Sequence, residues 1–105
     1  MESSALTKIL LIEDDFQLGD VVMAFLEMNQ LEVTLCETAS DALEKIKTMP
    51  FDCIILDLNL PDEDGLVLLR KIRHFSNCPV IICSARGTTE ERIAGLEFGA
   101  QDYFF

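Results

Sequence analysis

Three short apolar runs constrain the fold of this chain more than any other feature of its sequence. They are rich in Ile and Val, they do not alternate with polar residues, and they lie at residues 9–12, Cys53–Leu56 and Val80–Cys83. Strands buried on both faces of a parallel sheet carry such unbroken runs, because neither face meets water. We therefore predict that the three runs form the central strands of a parallel sheet.

Two further segments are predicted to be strands of the same sheet. Residues 31–35 read Leu-Glu-Val-Thr-Leu, and this alternation of apolar and polar side chains is typical of a half-exposed strand. This segment is therefore expected at an edge. The short apolar piece at residues 102–105 is predicted to be the last strand.

Four segments between the strands have apolar residues at the spacing of an amphipathic helix. Their apolar stripes are Leu18, Val21, Val22 and Phe25; Ala39, Ala42, Leu43 and Ile46; Leu68, Ile72 and Phe75; and Ile93, Leu96 and Ala100. Thr38 and Thr88 stand at capping-box-like positions before two of these helices. With right-handed crossovers, the alternation of strands and helices predicts an α/β fold, a doubly wound parallel sheet whose two faces are covered by these stripes. A chain of 105 residues is expected to form one domain, residues 1–105.

The charge and cysteine content narrow the partners and the compartment. With 19 acidic and 8 basic residues, the formal net charge is -11, so direct contact with nucleic acid or an anionic membrane is not expected. The cysteines show no C-x-x-C spacing. No segment reaches the roughly 18 apolar residues of a membrane span. We therefore predict a cytoplasmic protein without disulfides.

Acidic residues follow the central strands at the point where each strand ends. Glu13, Asp14 and Asp15 follow the first run, Asp57 follows the second, and Ser84 follows the third. Adjacent parallel strands bring such ends together, and ligands of open α/β sheets bind there. Converging carboxylates repel one another unless a cation offsets their charge, and Mg²⁺ prefers oxygen ligands of this kind. The sequence therefore predicts a magnesium site at Glu13, Asp14 and Asp57, whereas Asp15 is placed to cap the following helix.

Four sequence blocks around these residues resemble the receiver domains of two-component response regulators. The blocks are KILLIEDD (8–15), DCIILDLNLPDEDG (52–65), PVIICSAR (79–86) and GLEFGAQDY (95–103), in the order of the family. The resemblance implies the flavodoxin-like receiver fold. It also implies phosphorelay signal transduction, in which a sensor histidine kinase supplies a phosphoryl group in the presence of Mg²⁺.

The resemblance further implies a role for individual residues. Asp57 would be the phosphoacceptor, and the backbone carbonyl of Asn59 would join Glu13, Asp14 and Asp57 as a ligand of Mg²⁺. Ser84 would supply the switch hydroxyl, and Tyr103 would be the aromatic switch. Such a domain assists its own phosphorylation and dephosphorylation, and it is not an enzyme that turns over a diffusible substrate.

The resemblance also bears on the parent protein. The stretch from Ser84 to Tyr103 is most similar to regulators with a winged-helix DNA-binding domain, which implies a transcriptional output. The family pattern continues with a Lys-Pro dipeptide and a fifth helix, whereas this sequence stops at Phe105. We therefore expect a C-terminally truncated receiver domain without its output domain. One apolar flank beside the helix from Phe16 would then be uncovered, which predicts either a homodimer or a destabilised monomer.

Three other interpretations use the same residues. A phosphohydrolase with an Asp nucleophile needs an acid/base Asp two residues later, where this chain has Asn59. A nucleotide-binding module needs a phosphate-binding loop after the first strand, where Glu13, Asp14 and Asp15 would repel phosphate. A receiver-like interaction module that does not signal by phosphorylation is the alternative that stays open, because a fold can be kept while its function changes.

Overall fold

Strands and helices alternate along the computed structural model, which describes residues 6–84 and 88–104. The strands are β1 (Thr7–Ile12), β2 (Leu31–Cys36), β3 (Cys53–Leu56), β4 (Val80–Cys83) and β5 (Asp102–Phe104). The helices are α1 (Phe16–Met28), α2 (Ala39–Thr48), α3 (Gly65–Phe75) and α4 (Thr89–Glu97). For Thr89 and residues 102–104 only the backbone is described. The order of elements is the predicted one.

The described strands lie parallel in one sheet with the order β2-β1-β3-β4-β5. The register pairs Ile12 with Leu56 and Leu56 with Ile82, so the three central strands end side by side. The chain runs from β1 outward to β2 and then returns past β1 to β3. The crevice at such a reversal is where open α/β sheets bind ligands. The predicted doubly wound parallel sheet, with β2 at an edge, is confirmed.

One face of the sheet is completely buried and forms the core. Its residues are 0% exposed, and they are Leu10, Ile12, Ile54, Leu56, Val80 and Ile82. They pack with buried residues of α2 and α3, among them Ala42, Leu68 and Ile72. Each such aliphatic side chain contributes roughly 1.5–3 kcal/mol on burial, so this face fixes the positions of the strand ends.

The opposite face is covered less completely by the described helices. Helix α1 lies against the edge strand β2, where a Cβ at Gly19 would come within 3.1 Å of the Leu35 side chain. Because α1 lies toward this edge, part of the sheet beside it stays open, and Cys83 at the end of β4 is exposed.

The apolar stripes of α1 and α4 cover the sheet only in part, and beside α1 an uncovered apolar flank is the expected outcome. Exposed fractions between 49% and 67% are found at Leu18, Val21, Phe25, Ile93 and Leu96. For α1 the reason is its place at the β2 edge, which turns part of the stripe to solvent. Helix α4 lies against β5 and α3 rather than across the central strands.

The predicted helix starts are confirmed at both threonines. Thr38 Oγ1 accepts a hydrogen bond from the N–H of Asp41 at 3.1 Å, and Thr88 forms a reciprocal capping box with Glu91. All four cysteines are free thiols. Across the described ranges, no helix is both long enough and apolar enough to cross a membrane.

Candidate functional site

The ends of β1, β3 and β4 carry the predicted site residues. Glu13 and Asp14 directly follow β1, Asp57 follows β3, and Ser84 follows β4. The N–H of Asp57 donates to the carbonyl of Ile12 at 3.0 Å, so the ladder between β1 and β3 continues past both strand ends. This bond holds the backbone of Asp57 beside that of Glu13.

Three carboxylates meet at this point of the sheet. One carboxylate oxygen from each of Glu13, Asp14 and Asp57 lies within 4.8 Å of the others. Glu13 and Asp57 are only 9% and 8% exposed, whereas Asp14 is exposed. Like charges this close together are stable only when a proton or a cation offsets them. The all-oxygen donor set fits Mg²⁺, which takes one or two carboxylates and retains several waters.

The surroundings of Glu13 disfavour the charged form of its carboxyl group. Burial is the main cause that raises the pKa of Glu13 to about 7. The N–H of Asp15, which donates to Glu13 Oε2 at 3.1 Å, opposes this shift, and the charges of Asp57 and Asp14 add to it. A cation that binds the cluster therefore competes with a proton for Glu13 at and below neutral pH.

We expect the metal-free protein to lose stability as the pH rises from about 4.5 to about 7, the interval between the ordinary and the raised pKa of Glu13. The native state binds more protons than the unfolded state in this range, so the free energy of unfolding falls with rising pH. Each unit of pKa difference corresponds to about 1.4 kcal/mol of unfolding free energy. Because Glu13 titrates together with the neighbouring acids, only part of its shift counts, and the expected loss of stability is roughly 2 kcal/mol. Urea titrations in EDTA across this pH range measure it. An unchanged slope in Glu13→Gln would contradict the assignment.

The loop between β3 and α3 is closed tightly beside Asp57. The N–H of Asn59 donates to Asp57 Oδ1 at 3.3 Å, and Asn59 forms an antiparallel bridge with Asp64. The N–H of Gly65 donates to the carbonyl of Leu58 at 3.0 Å. A Cβ at Gly65 would lie 2.5 Å from the Cα of Leu58, so this approach requires glycine. The loop therefore keeps the main chain of Asn59 next to the carboxylates.

A pocket of about 480 Å³ opens beside the cluster. Its acidic end contains Glu13, Asp14 and Asp57, together with the buried side chain of Ser84. Its apolar end lies on the less covered face of the sheet and is lined by Leu11, Leu18, Val22, Ile55 and Cys83. The sequence interpretation did not place Cys83 here, although alternation along β4 sets it on the face opposite the buried Ile82.

Asp15 and Tyr103 are the two remaining residues singled out in the sequence. Asp15 Oδ1 accepts a hydrogen bond from the N–H of Leu18 at 3.1 Å and caps α1, as predicted. The backbone of Tyr103 pairs with Ile82 in β5. Its side chain lies outside the described part of the chain, so the aromatic switch stays a prediction.

Comparison with known proteins gives relatives over nearly the whole chain. Residues 9–105 match the family described as the response regulator receiver domain. The transcriptional regulatory protein BaeR of Escherichia coli O6:H1 is 38% identical over 96 residues, which are 91% of this chain and 40% of BaeR. The transcriptional regulatory protein KdpE of Staphylococcus aureus is 40% identical over 97 residues, covering 92% of this chain and 42% of KdpE. The chain thus spans about two-fifths of the length of these relatives.

Solved structures agree with the sequence relatives. A CheY-like receiver domain protein from Methanospirillum hungatei JF-1 has a TM-score of 0.92 and 30% identity, covering 95% of this chain and 81% of that chain. The BeF3-activated receiver domain of RstA from Klebsiella pneumoniae has a TM-score of 0.89 and 31% identity, covering 93% of this chain and 84% of that chain. Fold, strand-end acids and sequence match therefore agree, and this chain belongs to the response regulator receiver domain family.

Proposed function

We propose that this chain accepts a phosphoryl group on Asp57 from a sensor histidine kinase and passes the signal to an output domain of its parent protein. The position of Asp57 carries this proposal. Its side chain is buried at the reversal of strand order, within 4.8 Å of the carboxylates of Glu13 and Asp14. It also lines the pocket that contains Ser84.

The proposed transfer is a displacement at phosphorus. A carboxylate oxygen of Asp57 attacks the phosphoryl group of a phosphohistidine, and a new O–P bond forms. The P–N bond breaks, and its electron pair returns to the imidazole nitrogen of the kinase. The protein contributes by positioning, since β3 and the bond to Ile12 hold Asp57 at the wall of an open pocket.

The residues around Asp57 would hold a divalent cation. Glu13, Asp14 and Asp57 would supply carboxylate oxygens, and Asn59 would supply its backbone carbonyl. Mg²⁺, when bound, offsets the charge that develops on the transferred phosphoryl group. Ser84 lies in the same pocket, and its hydroxyl could donate a hydrogen bond to a phosphate oxygen once Asp57 is modified.

The relatives suggest an output for the parent protein. BaeR and KdpE are transcriptional regulatory proteins, and this chain matches about two-fifths of each. We infer that the parent protein regulates transcription through a segment beyond this domain. The net charge of -11 would repel the phosphate backbone of DNA, which supports assigning DNA contact to that other segment and not to this domain. The cytoplasmic location stays a prediction.

The direct test of the proposed function is phosphorylation without the kinase. The purified chain is incubated with Mg²⁺ and acetyl phosphate, and the intact mass is measured for a gain of one phosphoryl group. Uptake supports the phosphoacceptor. A chain that keeps its fold and binds Mg²⁺ but takes up no phosphate would favour the alternative of an interaction module.

We expect the chain to self-associate through the incompletely covered flank of the sheet. Val21 and Phe25 are 67% and 64% exposed on α1, the helix whose Leu18 and Val22 line the apolar end of the pocket. Burying such side chains favours association. Added salt should strengthen the association because it screens the repulsion between two acidic copies. Light scattering across a concentration series measures the mass, and Phe25→Ser should weaken association by roughly tenfold or more. A monomer mass throughout would contradict this expectation.

A further inference from the structure

Asp62, in the loop between β3 and α3, binds the first turn of a different helix. Its Oδ1 accepts a hydrogen bond from the N–H of Ala39 at 2.9 Å, and its Oδ2 accepts one from the N–H of Ser40 at 3.1 Å. These are the first two residues of α2, whose N–H groups have no partner within the helix. These donors also hold the pKa of Asp62 below its ordinary value. Asp62 is therefore a charged cap supplied from more than twenty residues away.

The two neighbouring acids of the loop make contacts of another kind. Glu63 forms an ion pair with Lys71 of α3, and Asp64 Oδ1 accepts the N–H of Leu66 at 2.8 Å in the first turn of α3. Both contacts tie the loop to the helix that it enters. The contact of Asp62 is different, because it fixes the loop to the start of α2, the helix that follows β2.

The start of α2 is in turn connected to the β1 side of the carboxylate cluster. The N–H of Glu13 donates to the carbonyl of Cys36, the last residue of β2, at 2.9 Å. Cys36 lies two residues before Thr38, the N-cap of α2. Asp62 therefore connects two parts of the site. It holds the loop that carries Asn59 against the start of α2, and the residues just before α2 hold Glu13 in place.

We infer that Asp62 is a positioning residue that holds Asn59 where its main chain can complete the proposed Mg²⁺ site. Asp62 does not line the pocket, so it acts through the loop and not by contact with the metal or the phosphoryl group. This inference rests on the proposed function for the purpose of the site. It can nevertheless be tested with Mg²⁺ alone, because metal binding is measured without phosphate.

The test compares two ways of removing a cap from the same helix end. Asp62→Ala removes the contact between the loop and α2, whereas Thr38→Ala removes a local cap, the bond to the N–H of Asp41, and leaves the loop contact in place. Caps of this kind contribute similarly to helix stability, so the two variants are matched controls. Titration calorimetry with Mg²⁺ should show a dissociation constant raised roughly tenfold in Asp62→Ala, at the lower end of outer-shell effects. We expect a change below about twofold in Thr38→Ala.

A third variant distinguishes the hydrogen bonds that Asp62 accepts from α2 from the negative charge that it carries. Asp62→Asn loses the charge but keeps an oxygen that can accept from α2, and Asn caps helices about as well as Asp. Its Mg²⁺ affinity should therefore lie closer to the wild type than that of Asp62→Ala. Equal weakening by both substitutions would show that only the lost charge matters, and it would overturn the inference.

Hydrogen exchange in the metal-free protein gives a second measurement. The amides of residues 58–60 should exchange faster in Asp62→Ala than in Thr38→Ala, because only the first variant releases the loop. Equal exchange and equal Mg²⁺ affinity in these two variants would also overturn the inference. Failure of the wild type to take up phosphate would instead contradict the proposed function. The comparison of Mg²⁺ affinities would still test the role of Asp62, because it does not depend on phosphate.

Discussion

Asp57→Asn is expected to abolish phosphorylation by acetyl phosphate, whereas the wild type gains the mass of one phosphoryl group. The amide cannot act as the carboxylate nucleophile, and the substitution removes one of the three carboxyl groups of the cluster. The rate of phosphorylation should fall at least about a hundredfold, because the groups that position the substrate cannot replace the missing nucleophile. Intact mass against time measures both proteins.

A second aspartate, at the opposite end of β3, provides the control. Asp52 lies immediately before β3, at the end opposite Asp57, and its Oδ2 accepts the N–H of Lys8 at 2.7 Å. Asp52→Asn removes the same charge from the chain but leaves the cluster intact, so it should take up phosphate at the wild-type rate. Incorporation into Asp57→Asn at the wild-type level would contradict the assignment of the phosphoacceptor.

The central strands could be predicted because their signal is local. Cys53–Leu56 and Val80–Cys83 are unbroken apolar runs, and the polar residue after each run marks the strand end. Parallel pairing then brings the ends together without any knowledge of side-chain packing. For that reason the sequence was sufficient to predict which acids lie near Asp57.

Other features depend on distances between elements that a linear pattern does not contain. Asp62 looks like an ordinary turn residue, and its bonds to Ala39 and Ser40 exist only because the loop folds back over the start of α2. The exposure of Val21 depends on where α1 lies across the sheet, which helical spacing does not determine. Such spacing shows which residues share a helix face, but it does not show what that face meets.

Asp14→Asn is expected to weaken Mg²⁺ binding by at least about tenfold, because it removes a ligand and a charge together. Asp14 is exposed, so the substitution should leave the packing of the core intact. The free energy of unfolding in EDTA should rise by about 0.5 kcal/mol at pH 8, since Asp14 is one of the charges that raise the pKa of Glu13.

The sign of this stability difference should reverse when Mg²⁺ is added. A cation that binds only the native state stabilises the protein, and this stabilisation grows as the dissociation constant falls. Because the wild type binds Mg²⁺ more tightly, its free energy of unfolding should increase more than that of Asp14→Asn. Thermal denaturation in EDTA and in millimolar Mg²⁺ measures the reversal. Asp15→Asn is the matched control, because Asp15 Oδ1 accepts a hydrogen bond from the N–H of Leu18 and Asn also caps helices in this way. If Asp15→Asn weakened Mg²⁺ binding as much as Asp14→Asn, the general loss of negative charge would explain both results and Asp14 would not be a ligand.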